Sequence, residues 1–191
     1  MANARFSIAP AYYTGSEVTP EVTVTHSGKT LVKDRDFIVT YHNNIEPSSY
    51  YNSPWVGIDG IGNYQGYVTK SFTINRADIS SCTVTLSDES LTYTGSSLRP
   101  TVTVKNGDKE LTLNQDYYVS YRNNWNAGTA SVIVNGSGNY TGSVTKDFQI
   151  VPADISNYEV TLYNDSFDYD GTAKEQRYVR LYSGTRWLSE D

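Results

Sequence analysis

The stretch DYYVSYRNN at residues 116–124 places Tyr117, Val119 and Tyr121 on one side of an extended chain. Their neighbours fall on the other side, and this period of two is typical of a half-buried strand. Two asparagines close the run, and asparagine tolerates the left-handed backbone that a tight turn requires. The stretch therefore predicts a β-strand that ends in a turn.

A similar pattern occurs earlier in the chain, at residues 36–44. The motif Gly-Asn-Tyr of residues 62–64 returns at 138–140, and the Ala-Asp-Ile-Ser motif of residues 77–80 returns at 153–156. A third copy begins after Ser156. These recurrences predict two modules, at residues 1–76 and 77–152, and a partial third at residues 153–191. Because both outer copies are cut, we expect the sequence to be an excerpt of a longer protein.

Composition favours an all-β fold. The chain has 17 tyrosines but a single methionine, and turn residues such as Asn106-Gly107 separate the alternating stretches. No stretch has a convincing helical period. Six or seven short strands in each repeat favour tandem immunoglobulin-like β-sandwiches, with small β-grasp repeats as the alternative.

Charge and cysteine content exclude several functions. The net charge is -6 and the isoelectric point is about 4.9, so nucleic acid and anionic membrane surfaces are disfavoured as partners. The sequence contains no run of about 18 apolar residues, which is the length that a membrane-spanning helix needs. Cys82 stands alone, so it forms no disulfide within the chain and no thiolate pair for a metal.

No catalytic arrangement is evident. His26 and His42 each lie beside a turn, and neither returns in the next copy, which favours solvated turn residues over a general base. We therefore predict that the chain is not an enzyme, has no catalytic residues and needs no cofactor or metal. A calcium ion held by Asp78 or Asp154 at the module junctions stays an alternative.

The second copy resembles the tandem Ig-like repeats of Gram-positive cell-surface proteins, especially those of gut clostridia. The resemblance rests on Tyr-Thr-Gly at residues 93–95, the strand at 116–124, Ala-Gly-Thr-Ala at 127–130 and the Gly-rich segment at 136–142. It implies a secreted, cell-wall-associated adhesin in which repeats act as a stalk or as binding modules. It carries over no catalytic residues.

Two lysines raise a separate question. Side chains alternate between the two sides of a strand, and this alternation puts Lys70 and Lys146 on the same side as the core residues that follow each of them. A buried lysine needs a partner. The resemblance suggests an isopeptide bond to a nearby asparagine, of which Asn44 and Asn124 are examples. The favoured interpretation is a lysine at the sheet rim whose ammonium group reaches water.

The first copy differs from the second by an inserted loop at residues 45–55, IEPSSYYNSPW. We predict that Ile45, Tyr50, Tyr51 and Trp55 bind a ligand there, with Trp125 as a smaller patch on the second copy, because rigid aromatic side chains beside small polar ones suit recognition. Host glycan, mucin or a secreted immunoglobulin are the candidate partners, besides neighbouring repeats.

Three alternatives accompany this adhesin interpretation. The tyrosines could instead cover the end of the sandwich or pack on a neighbouring module, leaving a pure structural spacer or stalk. The chain could also be an immunoglobulin-binding module, or an accessory carbohydrate-binding part of a secreted enzyme.

Overall fold

The computed structural model describes residues 4–176, 178–183 and 186–187. Residues 1–3 and 188–191, which belong to the predicted first and third modules, lie outside the described residues. The regular structure consists of strands and two short 3-10 helices, Ile79–Ser81 and Ile155–Asn157. The described residues contain no α-helix. The all-β prediction is therefore confirmed.

The first segment forms two antiparallel sheets and one parallel pair. One sheet has the order β1-β3-β4, a second has the order β5-β6-β7, and β2 pairs in parallel with β8. Its strands are β1 (Ala4–Ile8), β2 (Ala11–Tyr12), β3 (Val22–His26), β4 (Lys29–Thr30), β5 (Phe37–His42), β6 (Trp55–Gly60), β7 (Tyr67–Ser71) and β8 (Ile74–Asn75).

The core of this segment comes from the alternating residues of its strands. Phe37 on β5 and Ile58 on β6 are fully buried and pack in one cluster with Val24 of β3. Residues of the opposite parity are more exposed, as the period-two pattern predicts. Burial of these apolar surfaces is the main stabilising contribution in a segment without a disulfide.

A short strand, β9 (Ala77–Asp78), links the first segment to the second. The second has a sheet of order β10-β12-β13 and a sheet of order β11-β17-β15-β14. Its strands are β10 (Thr83–Leu86), β11 (Ser90–Thr92), β12 (Val102–Asn106), β13 (Lys109–Glu110), β14 (Tyr117–Arg122), β15 (Gly128–Gly136), β16 (Tyr140–Thr141) and β17 (Ser143–Val151). Val104, Val132 and Phe148 are buried in this segment.

Equivalent side chains make equivalent hydrogen bonds in the two segments. The hydroxyl of Tyr41 donates to the carbonyl of Pro20 at 2.7 Å, and in the second segment Tyr121 donates to Pro100, also at 2.7 Å. The carboxylate of Asp36 accepts the N–H of Val32 at 2.9 Å, and that of Asp116 accepts the N–H of Thr112 at 2.9 Å. Similar local sequences thus reach similar tertiary contacts.

Residues after the second 3-10 helix form a three-stranded sheet of order β18-β19-β20. Its strands are β18 (Glu159–Leu162), β19 (Val179–Ser183) and β20 (Arg186–Trp187). The antiparallel register places Val160 opposite Leu181 and Leu162 opposite Val179. Val160, Leu162 and Val179 are exposed, in contrast to the buried Val84 and Val104 of the second segment.

Contacts divide the described residues into two compact units. One unit contains the described residues up to Val84 together with Val104–Val119 and Val134–Val144. The other contains Thr85–Thr103, Ser120–Ile133 and the described residues from Thr145 onward. The module boundaries near residues 76 and 152 stay a prediction from the sequence repeats.

Candidate ligand-recognition loop

The inserted segment of residues 45–54 connects β5 to β6 at one end of the first segment. Asn43 has a φ of 54°, a left-handed conformation that turns the chain out of β5. In the second segment Asn123 has the same φ of 54°, but the connection to β15 there is shorter. The insertion therefore extends an ordinary turn and leaves both flanking strands in place.

Ser48 fastens the loop to the sheet. Its N–H donates to the carbonyl of Ile74 at 2.9 Å, and its Oγ accepts the N–H of Ile74 at 3.0 Å. These two bonds continue the hydrogen bonding of β8 into the loop. A loop held in this way loses less conformational entropy when a ligand binds.

Asn52 fixes the inside of the loop. Its Nδ2 donates to the carbonyls of Glu46 at 2.8 Å and of Pro47 at 3.3 Å. Its backbone N–H donates to the Oγ of Ser49 at 3.1 Å, and its carbonyl accepts the N–H of Ser49 at 2.9 Å. The residues between Ser49 and Asn52 are therefore presented by a closed hydrogen-bonded turn.

Tyr50 and Tyr51 occupy the tip of this turn. Their side chains are 93% and 95% exposed, and their ring centroids lie 5.0 Å apart with planes at 87°. None of the described residues shields either ring from water. Packing of the tyrosines on another module stays an alternative prediction. The turn is held from below by the bonds of Ser48 and Asn52, so the rings project outward.

The other predicted site residues differ in setting. Trp55 is half-buried at the start of β6, and its ring stacks on the imidazole of His42 with centroids 3.9 Å apart and an interplanar angle of 12°. Ile45 is exposed at the base of the loop. Trp125 is 60% exposed and belongs to the other compact unit.

Sequence reasoning did not identify Glu46 as a contact residue. Its Oε2 accepts a hydrogen bond of 2.6 Å from the Nδ2 of Asn139, which lies far along the chain in the second segment. His42 is exposed, as predicted for a solvated residue beside a turn, but its ring also stacks on that of Trp55. The stacking of His42 on Trp55 follows from the pairing of β5 with β6, and the bond of Glu46 joins residues far apart in the chain, so neither contact leaves a local periodic signal. The only sequence signal that pointed to Glu46 is its position in the inserted segment.

Both lysines of the isopeptide hypothesis are exposed. The period-two count that put them on the core side is therefore wrong, whereas the favoured interpretation of a rim lysine that reaches water agrees with their exposure. Lys70 lies on the edge strand β7, and Lys146 lies on a part of β17 that does not pair with β11. A lysine at an open sheet edge extends its stem past the apolar residues into water. The amides of Asn44 and Asn124 donate to the carbonyls of Val18 and Leu98, at 3.1 Å and 2.8 Å.

Among residues 4–176, few groups could carry other chemistry. Asp78 accepts the N–H of Ser80 at 2.9 Å, and this bond caps the first 3-10 helix and lowers the pKa of the carboxyl group; Asp154 does the same for Ser156. Among the described residues there is no group of three or more His, Cys, Asp or Glu placed to hold a metal ion. Burial raises the pKa of the Cys82 thiol, which disfavours the reactive thiolate.

No helix in the described part of the chain has the length and apolar character needed to cross a bilayer. Comparisons of the sequence with protein-family models and with curated proteins found no significant match, and a search of solved structures found none either.

Proposed function

We propose that this chain is a non-catalytic, immunoglobulin-like region of an exported bacterial surface adhesin, and that its inserted loop binds a host glycan. The single observation that supports recognition is the near-complete exposure of Tyr50 and Tyr51 on a loop fixed by hydrogen bonds. Evenly scattered apolar residues need no explanation, but two adjacent exposed aromatic rings in a closed turn do.

The first two strands of each segment pair with different strands, which supports a two-sheet sandwich. β1 pairs antiparallel with β3 in one sheet, whereas β2, after the exposed Pro10, pairs in parallel with β8. The second segment repeats this arrangement, with β10 beside β12 and β11 beside β17. Two sheets of this kind, with alternating inward residues, favour an immunoglobulin-like sandwich. A β-grasp fold needs a helix packed on its sheet, and the described residues contain no α-helix.

The chemistry of the loop favours carbohydrate over a charged ligand. Tyrosine offers an apolar ring face to the C–H face of a sugar and a hydroxyl for its polar edge. Rings set at 87° present two such faces in different directions. The loop carries no lysine or arginine, and its one carboxylate, on Glu46, is already bonded to Asn139. Neutral glycans, including those displayed on mucins, are therefore the proposed ligands.

The test is a binding screen against neutral glycans, intestinal mucin and secretory immunoglobulin. We expect the double variant Tyr50→Ala/Tyr51→Ala to bind glycan or mucin at least about tenfold more weakly than the wild type, because aromatic residues dominate recognition energy. The matched control is Tyr169→Ala, since Tyr169 is also 95% exposed but lies elsewhere. Equal melting temperatures would show that folding is unchanged.

A second candidate function is the pure spacer, supported by the bond between Glu46 and Asn139 and by the pairing of β9 with β16. Both contacts give the loop and the linker a structural role. If the wild-type protein bound none of the three ligand classes, the recognition proposal would be refuted and the spacer preferred. If immunoglobulin alone bound, and the binding survived loss of both tyrosines, the loop assignment would fail.

A further inference from the structure

The linker after the first segment is held by a defined face of the second. Tyr140 is fully buried there, and its ring meets that of Tyr13 edge-on, with centroids 5.7 Å apart and planes at 90°. The ammonium of Lys109 lies 5.8 Å from the centroid of the Tyr13 ring. Asn106 donates to the hydroxyl of Tyr140 at 3.4 Å. All these residues belong to one compact unit.

Backbone contacts complete this junction. The N–H of Ala77 donates to the carbonyl of Asn139 at 3.0 Å, while the amide side chain of Asn139 donates to Glu46 at 2.6 Å. The linker strand β9 pairs in parallel with β16, in the register Tyr140↔Ala77 and Thr141↔Asp78. The face thus recognises a tyrosine ring, a carboxylate and an extended Ala-Asp strand at once.

The first segment carries the corresponding face at the corresponding positions of the repeat. His26 and Lys29 are the counterparts of Asn106 and Lys109, while Asn63 and Tyr64 are the counterparts of Asn139 and Tyr140. The turn is the same, since the N–H of Tyr64 donates to the carbonyl of Ile61 at 3.1 Å and that of Tyr140 to Ser137 at 2.9 Å. The ring of Tyr64 meets His26 edge-on at 5.9 Å, in the place of the contact between Tyr140 and Asn106.

This second face is uncovered within the described residues. Tyr64 is half-buried, unlike the fully buried Tyr140, and lies outside any strand. Lys29 and Asn63 are exposed. The Nδ1 atom of His26 is buried and has no hydrogen-bond partner among the residues that the structure describes. The exposed Lys29 and Asn63 and the half-buried Tyr64 thus leave this face open to an occupant.

We propose that the face formed by His26, Lys29, Asn63 and Tyr64 binds the linker end of another module of the same kind. The occupant presents a tyrosine equivalent to Tyr13, a carboxylate equivalent to that of Glu46 and an extended Ala-Asp strand. Lys29 lies over the tyrosine ring, Asn63 donates to the carboxylate, and the backbone beside Tyr64 pairs with the strand. The first segment itself supplies all three groups to the second, so the structure contains the occupant as well as the face.

The test adds such an occupant to the full chain. A copy of residues 4–83 is joined directly ahead of Ala4, which gives one protein two linkers of identical sequence, each with an exposed trypsin site at Arg76. Peptides from the two linkers differ downstream and are separated by mass spectrometry. We expect trypsin to cut both linkers at similar rates, because a linker paired with its neighbour must open before cleavage.

Matched variants identify the face. Lys29→Glu/Asn63→Ala, made in the original copy alone, is expected to accelerate cleavage of the added linker at least about tenfold and to leave the original linker unchanged. Lys109→Glu/Asn139→Ala should accelerate cleavage of the original linker and leave the added linker unchanged. None of these four residues is buried, and an unchanged melting temperature of the whole protein would confirm that each variant folds.

Two results would overturn the inference. Cleavage of the added linker about tenfold faster than the original in the unsubstituted protein would mean that the first face takes no module. Rapid cleavage of both linkers would refute the protective junction itself. Neither result bears on glycan binding by Tyr50 and Tyr51, which is measured separately.

Discussion

Replacing Tyr13 by alanine tests whether the ring at the junction stabilises both segments that it touches. Tyr13 is 6% exposed, and its ring contacts Tyr140 and Lys109. Burial of an aromatic side chain contributes about 1.5–3 kcal/mol. An edge-to-face aromatic partner adds about 0.5–1.5 kcal/mol. We therefore expect Tyr13→Ala to lower the free energy of unfolding of this unit by about 3 kcal/mol.

The assay is urea unfolding followed by far-UV circular dichroism and tryptophan fluorescence, with a parallel thermal scan. A loss of about 3 kcal/mol corresponds to a fall in melting temperature of roughly 6–12 °C for a chain of this size. The neighbour Tyr12 is 59% exposed, so Tyr12→Ala is the control and should change stability by less than about 0.5 kcal/mol. A loss below about 1 kcal/mol for Tyr13→Ala would show that the ring contact is energetically unimportant.

Three further predictions concern acid stability, backbone packing and crosslinking. The hydrogen bond from Arg35 and the N–H of Val32 lower the pKa of Asp36 from 3.8 to about 2, so its stabilisation is complete above about pH 4 and is lost as the pH falls toward 2. Arg35→Gln should therefore raise the midpoint of acid unfolding measured by circular dichroism, and an unchanged midpoint would contradict this. A Cβ on Gly136 would lie 2.7 Å from the backbone of the β16 strand, whereas the corresponding Cβ on Gly60 meets a turn that holds no linker. Both Gly→Ala substitutions should lower the free energy of unfolding by about 1–3 kcal/mol. Only Gly136→Ala should also expose the linker to cleavage by trypsin. The intact mass should equal that of the unmodified chain, since an isopeptide bond at Lys70 would release ammonia; a deficit equal to one ammonia would contradict the exposed lysine.

Local pattern was sufficient to predict the strands of this protein. The alternation of Val22 and Val24 predicts a half-buried strand, and both are buried on β3. The same holds for the run that begins at Tyr117, which is β14. Turns were also predictable, because residues such as Gly107, with a φ of 60°, occupy conformations that few other residues adopt. These features depend on neighbours in sequence, so the sequence contains them directly.

The inserted loop was predictable as a position but not as a structure. Comparison of the two copies identifies residues 45–55 as the difference between them, and aromatic content predicts recognition. The exposure of Tyr50 and Tyr51 depends on how Ser48 and Asn52 hold the loop, and the bonds of Ser48 require β8 to lie beside it. Exposure of Lys70 likewise depends on the edge position of its strand, which alternation does not specify.

Short strands, tight turns, a local pattern shared by the copies and an aromatic insertion in one copy can all be predicted from local sequence. Which strands pair depends on tertiary packing, and so do the contact of Glu46 with Asn139 and the position of the linker beside Tyr140. Periodicity and turn chemistry act over only a few residues. Contacts between residues far apart in the chain arise from the packing of whole sheets, which leaves no repeating signal in the sequence.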